Sequence, residues 1–403
     1  DLYLRLGQPA SAVKTLERVL ILNPSDIASL FTLARAKEQS GDWMGALSMY
    51  RRVYELNPRY ENAAGSYNTL SALHGQLFQT GITSTLDSNR SANIFRMAYR
   101  IPLSSFAELF TQYSLDHIKI HTPVASTQSL TLHSLNLQLP ISVSSWGLTL
   151  YGELGGSLHN KLENIIPPQV ADFNLDVVSD YAAVAPQLGG GISWQAGPFK
   201  IGTYYGFHQI KDTFFADRFA QYEHQAGASI QIFLDYPNRQ FVRSFSFQTD
   251  GTYRSIFSPY FSDQTNIIYG GKGELHLQNV LAQKPQILLD VGALGSWDDS
   301  EKSSTDYYTP AQAFTIKGGA ELAVQLINGT NWIVTGAGRF WSGWFASAGS
   351  TGSVLFDGAV RLEGVRKNLS LYLAVGGNRT GETYWAYSLE IGGSIRLADY
   401  IIP

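Results

Sequence analysis

The sequence predicts two parts. A short run of helical repeats occupies residues 1–75, and a 16-stranded antiparallel transmembrane β-barrel occupies residues 76–403. Three observations predict this. The first is composition. Only 15% of the 403 residues are charged, against about 25% in ordinary soluble domains, while 13% are aromatic and 38 are Gly. No stretch approaches the ~20 apolar residues of a membrane-spanning helix, so any crossing must be made by strands. The second is a repeat of fixed period near the start. The third is a change of period after about Gln76, from 3.6 to 2.

The chain opens at Asp1-Leu-Tyr-Leu without an initiator Met or a signal peptide, and reads as a piece whose N-terminal part is missing. Gly7, Ala12, Val19, Asn23 and Pro24 recur as Gly41, Ala46, Val53, Asn57 and Pro58, each 34 residues later, and Leu16 pairs with Tyr50. That is the period of a tetratricopeptide repeat. Ala12 and Ala46 let two helices approach closely, and Asn-Pro ends the second helix because Pro cannot continue it. Helices are expected over about Asp26–Ser40, Trp43–Leu56 and Tyr60–Leu73, the last capping the stack. Two repeats bury little core, so the pattern implies a longer array upstream, used for scaffolding or docking.

From Gln76 on, segments of alternating polarity are separated by turn residues. Phe314, Ile316, Leu322, Val324 and Leu326 share one face, against Lys317, Glu321 and Gln325 on the other. Val354, Phe356, Val360 and Leu362 are similarly opposed to Asp357, Arg361 and Glu363. Sixteen such strands are expected, at about 76–86, 93–101, 105–119, 128–139, 145–158, 184–196, 198–208, 222–235, 239–255, 263–280, 284–298, 312–327, 331–343, 353–364, 367–379 and 383–397. An even number puts both barrel ends on one side of the membrane. Connections after even strands are short, such as Gly197 and Tyr236-Pro-Asn. Those after odd strands tend to be long, such as His159–Ala183 and Gln209–Gln221. Outer-membrane barrels keep short turns in the periplasm, so the repeats belong there too. Aromatic pairs at Tyr204-Tyr205, Phe214-Phe215, Tyr307-Tyr308, Phe340-Trp341, Trp344-Phe345 and Tyr384-Trp385 fit interfacial girdles.

Composition also limits the chemistry. A net charge of −4 gives no field for nucleic acid, and zero Cys excludes a disulfide scaffold, a thiolate zinc site and a cysteine nucleophile. No nucleophile elbow, phosphate loop or metal-ligand cluster stands out. Asp116 and His117 are adjacent on one strand, hence on opposite faces. No cofactor or metal is expected, and the chain does not read as an enzyme, although an outer-membrane hydrolase with a site assembled from distant strands stays open as a third reading. The polar face carries Arg96, Arg100, Glu108, Asp116, Glu153, Asp250, Lys272, Glu274, Asp290, Lys317, Glu321, Asp357, Arg361, Glu363 and Glu390. This excess of acid disfavours a polyanion and suits a neutral or partly cationic glycan, whose hydroxyls bond to carboxylates and amides. Tyr113 and Tyr372 are candidates for stacking on sugar rings. Asp290, Glu321, Asp357, Arg361 and Glu390 are expected to line the path.

Helical repeats leading into such a barrel resemble the outer-membrane exopolysaccharide export proteins, namely the cellulose synthase C subunit and the poly-N-acetylglucosamine export porin. Asp306-Tyr-Tyr-Thr-Pro-Ala-Gln-Ala-Phe-Thr-Ile is similar to the Tyr-(Tyr/Phe)-Ser-Pro-Gln segment of the former, with Thr309 in place of Ser, and Ser258-Pro-Tyr-Phe-Ser is a fainter likeness. The resemblance implies a passive exopolysaccharide channel in the outer membrane, cellulose-like or poly-N-acetylglucosamine-like in cargo. It implies a role in biofilm formation and partners among the periplasmic proteins of a synthase complex. The alternative is a general porin or an assembly factor with protein-binding repeats.

The alternation yields a direct test. Leu322 and Val324 face lipid, while Glu321 and Gln325 face the lumen. Val324→Arg should destabilise the folded barrel by about 2–4 kcal/mol, and Gln325→Arg should chiefly change conductance. Equal folding defects in both variants, measured by urea unfolding in lipid vesicles, would reverse the faces.

Overall fold

The computed structural model describes residues 2–5, 8–87, 90–120, 128–143, 146–159, 184–209, 221–235, 243–257, 265–283, 286–301, 312–329, 332–347, 352–366, 368–381 and 384–397. Five helices come first: α1 Leu2–Arg5, α2 Pro9–Leu22, α3 Ile27–Gln39, α4 Trp43–Leu56 and α5 Ala63–His74. Sixteen strands follow: β1 Gln76–Asp87, β2 Arg90–Pro102, β3 Glu108–Ile120, β4 Gln128–Val143, β5 Leu148–His159, β6 Val184–Ala196, β7 Phe199–Gln209, β8 Tyr222–Asp235, β9 Ser244–Phe257, β10 Asn266–Gln283, β11 Gln286–Ser300, β12 Gln312–Asn328, β13 Ile333–Ser347, β14 Ser353–Arg366, β15 Leu369–Thr380 and β16 Tyr384–Leu397. Gly7, the Asp306–Thr309 and Ser258–Ser262 motifs, Phe214-Phe215, Tyr307-Tyr308 and most of the long connections lie outside the described residues.

The helices pack in sequence, α2 on α3, α3 on α4 and α4 on α5. Their core is Leu30, Phe31, Ala34, Trp43, Ala46, Tyr50, Val53, Ala63, Tyr67 and Leu70. Ala46 and Val53, two of the recurring positions, have no exposed surface, as close helix contact requires. Phe31 meets the ring edges of Tyr50 and Tyr60 at 5.6 and 5.7 Å. Gly41 ends the α3 hairpin at φ 85°, a left-handed turn that glycine permits at low cost. Asp42 then caps α4, its carboxylate accepting from the Gly45 N–H at 2.9 Å.

Every strand pairs antiparallel with its sequence neighbours, and β1 pairs with β16 from Gln76↔Leu397 to Asp87↔Ala386, closing the barrel. Register separates the two faces without ambiguity. One row across β14, β15, β16, β1, β2 and β3 reads Leu362, Leu373, Ile391, Ile82, Phe95 and Leu115. The next row reads Glu363, Tyr372, Gly392, Gly81, Arg96 and Ser114. The first is an apolar band turned outward, with Ile391 54% exposed, and Val360, two residues along β14 on the same face, is 60% exposed. An exposed apolar belt of this kind around a closed polar interior is the outer surface of a membrane barrel. Leu322 and Val324 lie on this outer face, and Glu321 and Gln325 on the inner one.

The helical unit is bonded to one mouth of the barrel at two points. Ser105, in the β2–β3 turn, donates to Asp42 Oδ1 at 2.9 Å and accepts from the Met44 N–H at 3.0 Å. Arg396, near the end of β16, donates to the Ala72 and Leu73 carbonyls at 2.6 and 3.0 Å, satisfying the C-terminus of α5. Trp43 stacks on His74 with centroids 4.7 Å apart and planes 4° from parallel. Burial holds the His74 imidazole below the usual histidine range, and the neighbouring Arg100 and Arg396 add to this while Glu108 opposes it.

His74 is therefore neutral in the docked state, and its folded pKa lies below its unfolded one. Docking stability is present above the ordinary histidine range and is lost as pH falls through it, because the released state binds the proton better. Limited proteolysis at the Gly75 junction should speed up between about pH 7.5 and pH 5, and His74→Gln should abolish most of that difference.

Candidate functional site

The lumen is built from the inward rows of the sixteen strands. Cross-strand pairing puts all fifteen charged residues expected on the polar face onto the inner face, from Arg96 opposite Gly81 round to Glu390 opposite Thr83. Asp116 is inward, level with Leu132, and His117 is outward, bonded to Thr131 Oγ1 at 3.2 Å. Tyr113 differs from its expected place. It faces outward, level with Met97 and Leu135, and its hydroxyl bonds His133 at 2.8 Å. The reason is parity: Tyr113 is an odd number of residues from Asp116, so the two must occupy opposite faces.

Two walls of different character make up the inner face. The wall from β10 to β16 is a charge ladder. Asp290 bonds His276 at 3.0 Å, and Asp357 stands 3.7 Å from both Lys317 and Arg339. Arg361 pairs with Glu363 at 3.1 Å, and Tyr372 donates to Glu390 at 2.6 Å. Arg361 also lies over the Tyr372 ring at 4.5 Å, and Lys317 over the Trp341 ring at 5.6 Å. Of the five residues expected to line the path, four thus already hold partners from neighbouring strands; Glu321 is level with Asp290 and Arg339.

The wall from β4 to β8 is built mainly from amides. Glu153 accepts from Asn136 Nδ2 at 2.6 Å, Gln187 Nε2 at 2.5 Å and Gln138 Nε2 at 3.2 Å. Tyr204 accepts from Gln225 Nε2 at 3.1 Å. Near the far mouth the Glu223 carboxylate interrupts the pattern, paired with Arg254 at 2.6 Å.

Inward aromatic rings lie on glycine. Tyr151 covers Gly191, Tyr204 covers Gly227, Tyr372 covers Gly392, and Trp341 reaches across Gly319 and Gly292 to meet His276 at 6.0 Å. A Cβ on Gly191 would stand 2.5 Å from Tyr151 Cε1, and one on Gly292 would stand 2.6 Å from Trp341 Cη2. Neither approach is sterically possible without displacing the ring, so bare backbone is what lets each ring lie against the wall.

Several inward residues fell outside the expected set: Arg339, Lys200, Arg254, Glu223, Tyr151, Tyr204 and Trp341. Arg339 and Trp341 sit beside outward Phe340, so polarity does not alternate there. Glu223 and Arg254 were legible from parity with Gln225 and Asp250. Among the described residues no group of three His, Asp or Glu is placed to hold a metal ion.

No protein-family model matches the chain, and no curated protein matches it. Solved structures do. A bacterial polysaccharide outer membrane secretin aligns at TM-score 0.57 and 10% identity, over 80% of this chain and 99% of its own. CdiB from Acinetobacter baumannii aligns at 0.47 and 9%, over 79% of this chain and 60% of its own. OccK3 (OpdO) from Pseudomonas aeruginosa aligns at 0.43 and 12%, over 80% of this chain and 95% of its own. At these identities the first likeness is one of fold.

The glycine floor can be tested where it has one opponent. The atoms nearest a Cβ on Gly227 all belong to Tyr204. Gly227→Ala should therefore destabilise the barrel by about 1–3 kcal/mol through overpacking. In a Tyr204→Ala background the same change should cost far less, and urea unfolding of the double-mutant cycle measures the difference.

Proposed function

We propose that this protein is an outer-membrane conduit through which an exopolysaccharide, cellulose-like or poly-N-acetylglucosamine-like, leaves the cell. The observation that carries the reading is the inner face. It is polar around the whole circumference, rich in carboxylates and amides, and enclosed by sixteen strands, enough to hold an aqueous channel. Such a surface offers hydroxyl acceptors along its length. The fold likeness to a polysaccharide secretin supports the same assignment. The bonded helical unit supports it further, because a pore for small solutes has no need of a scaffold fixed to its mouth by Asp42, Ser105 and Arg396.

In this reading the helices are the last of a tetratricopeptide array in the periplasm, and the array recruits the proteins that deliver the polymer. Transport is passive, driven by synthesis at the inner membrane. Asp290, Glu321, Asp357, Arg361 and Glu390 belong to the path. No chemistry is performed and no cofactor is required.

Deleting the gene should abolish a surface polysaccharide and leave polymer in the periplasm. Replacing the five path residues by Ala in pairs should reduce secretion with the barrel still inserted, and single replacements should do little, since many weak contacts share the load. Unchanged surface glycan with reduced uptake of small solutes would instead make the protein a porin.

A further inference from the structure

The two walls of the lumen differ in what their aromatic rings can still bind. On the charged wall, Tyr372 has glycine on one side and the Arg361 guanidinium over its ring at 4.5 Å. Trp341 likewise has glycine beneath it and Lys317 above it. Across the lumen, Tyr151 and Tyr204 also rest on glycine, but among the described residues no cation stands over either ring. Tyr151 is 37% exposed. These rings keep one face against bare backbone and present the other to the lumen.

They are also ordered. Tyr151, Gly191, Tyr204 and Gly227 are consecutive partners in a single row across β5, β6, β7 and β8. The two rings are thus two strands apart, about 9.6 Å at normal strand spacing, comparable to the span of a disaccharide unit. Because barrel strands are tilted, the row climbs the wall and does not circle it. Beside it stands Glu153, whose carboxylate is held by the amides of Asn136, Gln138 and Gln187 and, among the described residues, by no Lys or Arg. The Oδ1 of Asn136 is itself buried without a partner. A flat apolar ring beside a carboxylate and amides is the surface a neutral pyranose recognises: its C–H face stacks and its equatorial hydroxyls donate. An acidic sugar is disfavoured, because the charges acting on these rings are carboxylates, Glu153 at Tyr151 and Asp250 and Glu223 at Tyr204.

We infer that Tyr151, Tyr204 and Glu153, with their amide supports, form a binding track for consecutive rings of a neutral glycan, set on the wall opposite the charge ladder. This rests on the conduit reading and gives it a substrate class and a location. The cation-covered rings of the other wall serve to brace the barrel.

The test is equilibrium binding of cellohexaose to the whole detergent-solubilised protein, measured by titration calorimetry. Wild type should bind. The double variant Tyr151→Ala/Tyr204→Ala should weaken binding about tenfold, the loss of two stacking contacts. Tyr151→Phe/Tyr204→Phe, which keeps both rings, should retain most of the affinity and shows that the effect is not a folding defect. Glu153→Gln should weaken cellohexaose and improve binding of an acidic oligosaccharide of the same length. Trp341→Ala should leave binding unchanged. Absence of cellohexaose binding to wild type overturns the track, as does an equal loss on Trp341→Ala or no loss in the Ala double variant. These outcomes are separate from the conduit itself. If gene deletion still abolishes surface polysaccharide while Tyr151 and Tyr204 prove dispensable for binding, the conduit stands and the track fails.

Discussion

Everything in this structure depends on the closure of β1 against β16. In a bilayer an unpaired strand edge leaves each backbone N–H and C=O without water, at several kcal/mol per group. Twelve register pairs join the first strand to the last, so the sheet has no edge. Closure in turn fixes which way every side chain points. Once Ile82 is level with Ile391, parity carries around the ring, and no strand can slip by one residue without turning charges such as Arg96 or Glu390 into lipid. The same step makes the interior polar by default, since the outward positions must be apolar and the inward ones meet water.

That constraint explains how much of the barrel was legible from sequence. A strand with lipid on one side and water on the other has no choice but to alternate, and all sixteen strands appear within a few residues of their expected bounds. It also shows where legibility ends. Aromatic residues are acceptable on both faces, so adjacent pairs carry no polarity signal. Tyr204 is inward and Tyr205 outward, Trp341 inward and Phe340 outward, yet each pair reads as a girdle. The misplacement of Tyr113 has the same origin. The glycine floors were illegible for a further reason: which glycine receives which ring depends on register between strands, as with Gly191 and Tyr151 or Gly292 and Trp341, and local periodicity does not contain it.

The helical unit illustrates a second limit. Its 34-residue period could be read because helix packing demands small residues at Ala12 and Ala46, both buried. Its attachment could not. Asp42 is an ordinary helix cap and Ser105 an ordinary turn residue, and nothing in either predicts a bond across 63 positions. Asp42 is where the two parts meet: one carboxylate caps α4, holds Lys37 at 3.0 Å and accepts from the barrel turn. Those donors outweigh burial and hold its carboxyl below the usual range. The cap and the docking contact therefore share one charge, so the orientation of α4 is tied to the barrel mouth.

The division of the lumen follows from the same economy of charge. A barrel interior must satisfy its own charges, and the wall from β10 to β16 does so with Lys317, Arg339 and Arg361 placed among Asp357, Glu363 and Glu390. Two of those cations, Lys317 and Arg361, settle over the nearest rings, because an exposed ring face attracts them. On the wall of amides around Glu153, among the described residues, no cation stands over a ring, so its rings stay open. A polymer sliding past both walls would then meet strong but internally satisfied polar groups on one side and weak, renewable stacking sites on the other. Weak contacts repeated along the way suit passage better than a single tight site. A polymer held at many equivalent positions loses little when it moves from one to the next, whereas a deep pocket would set a barrier at every repeat.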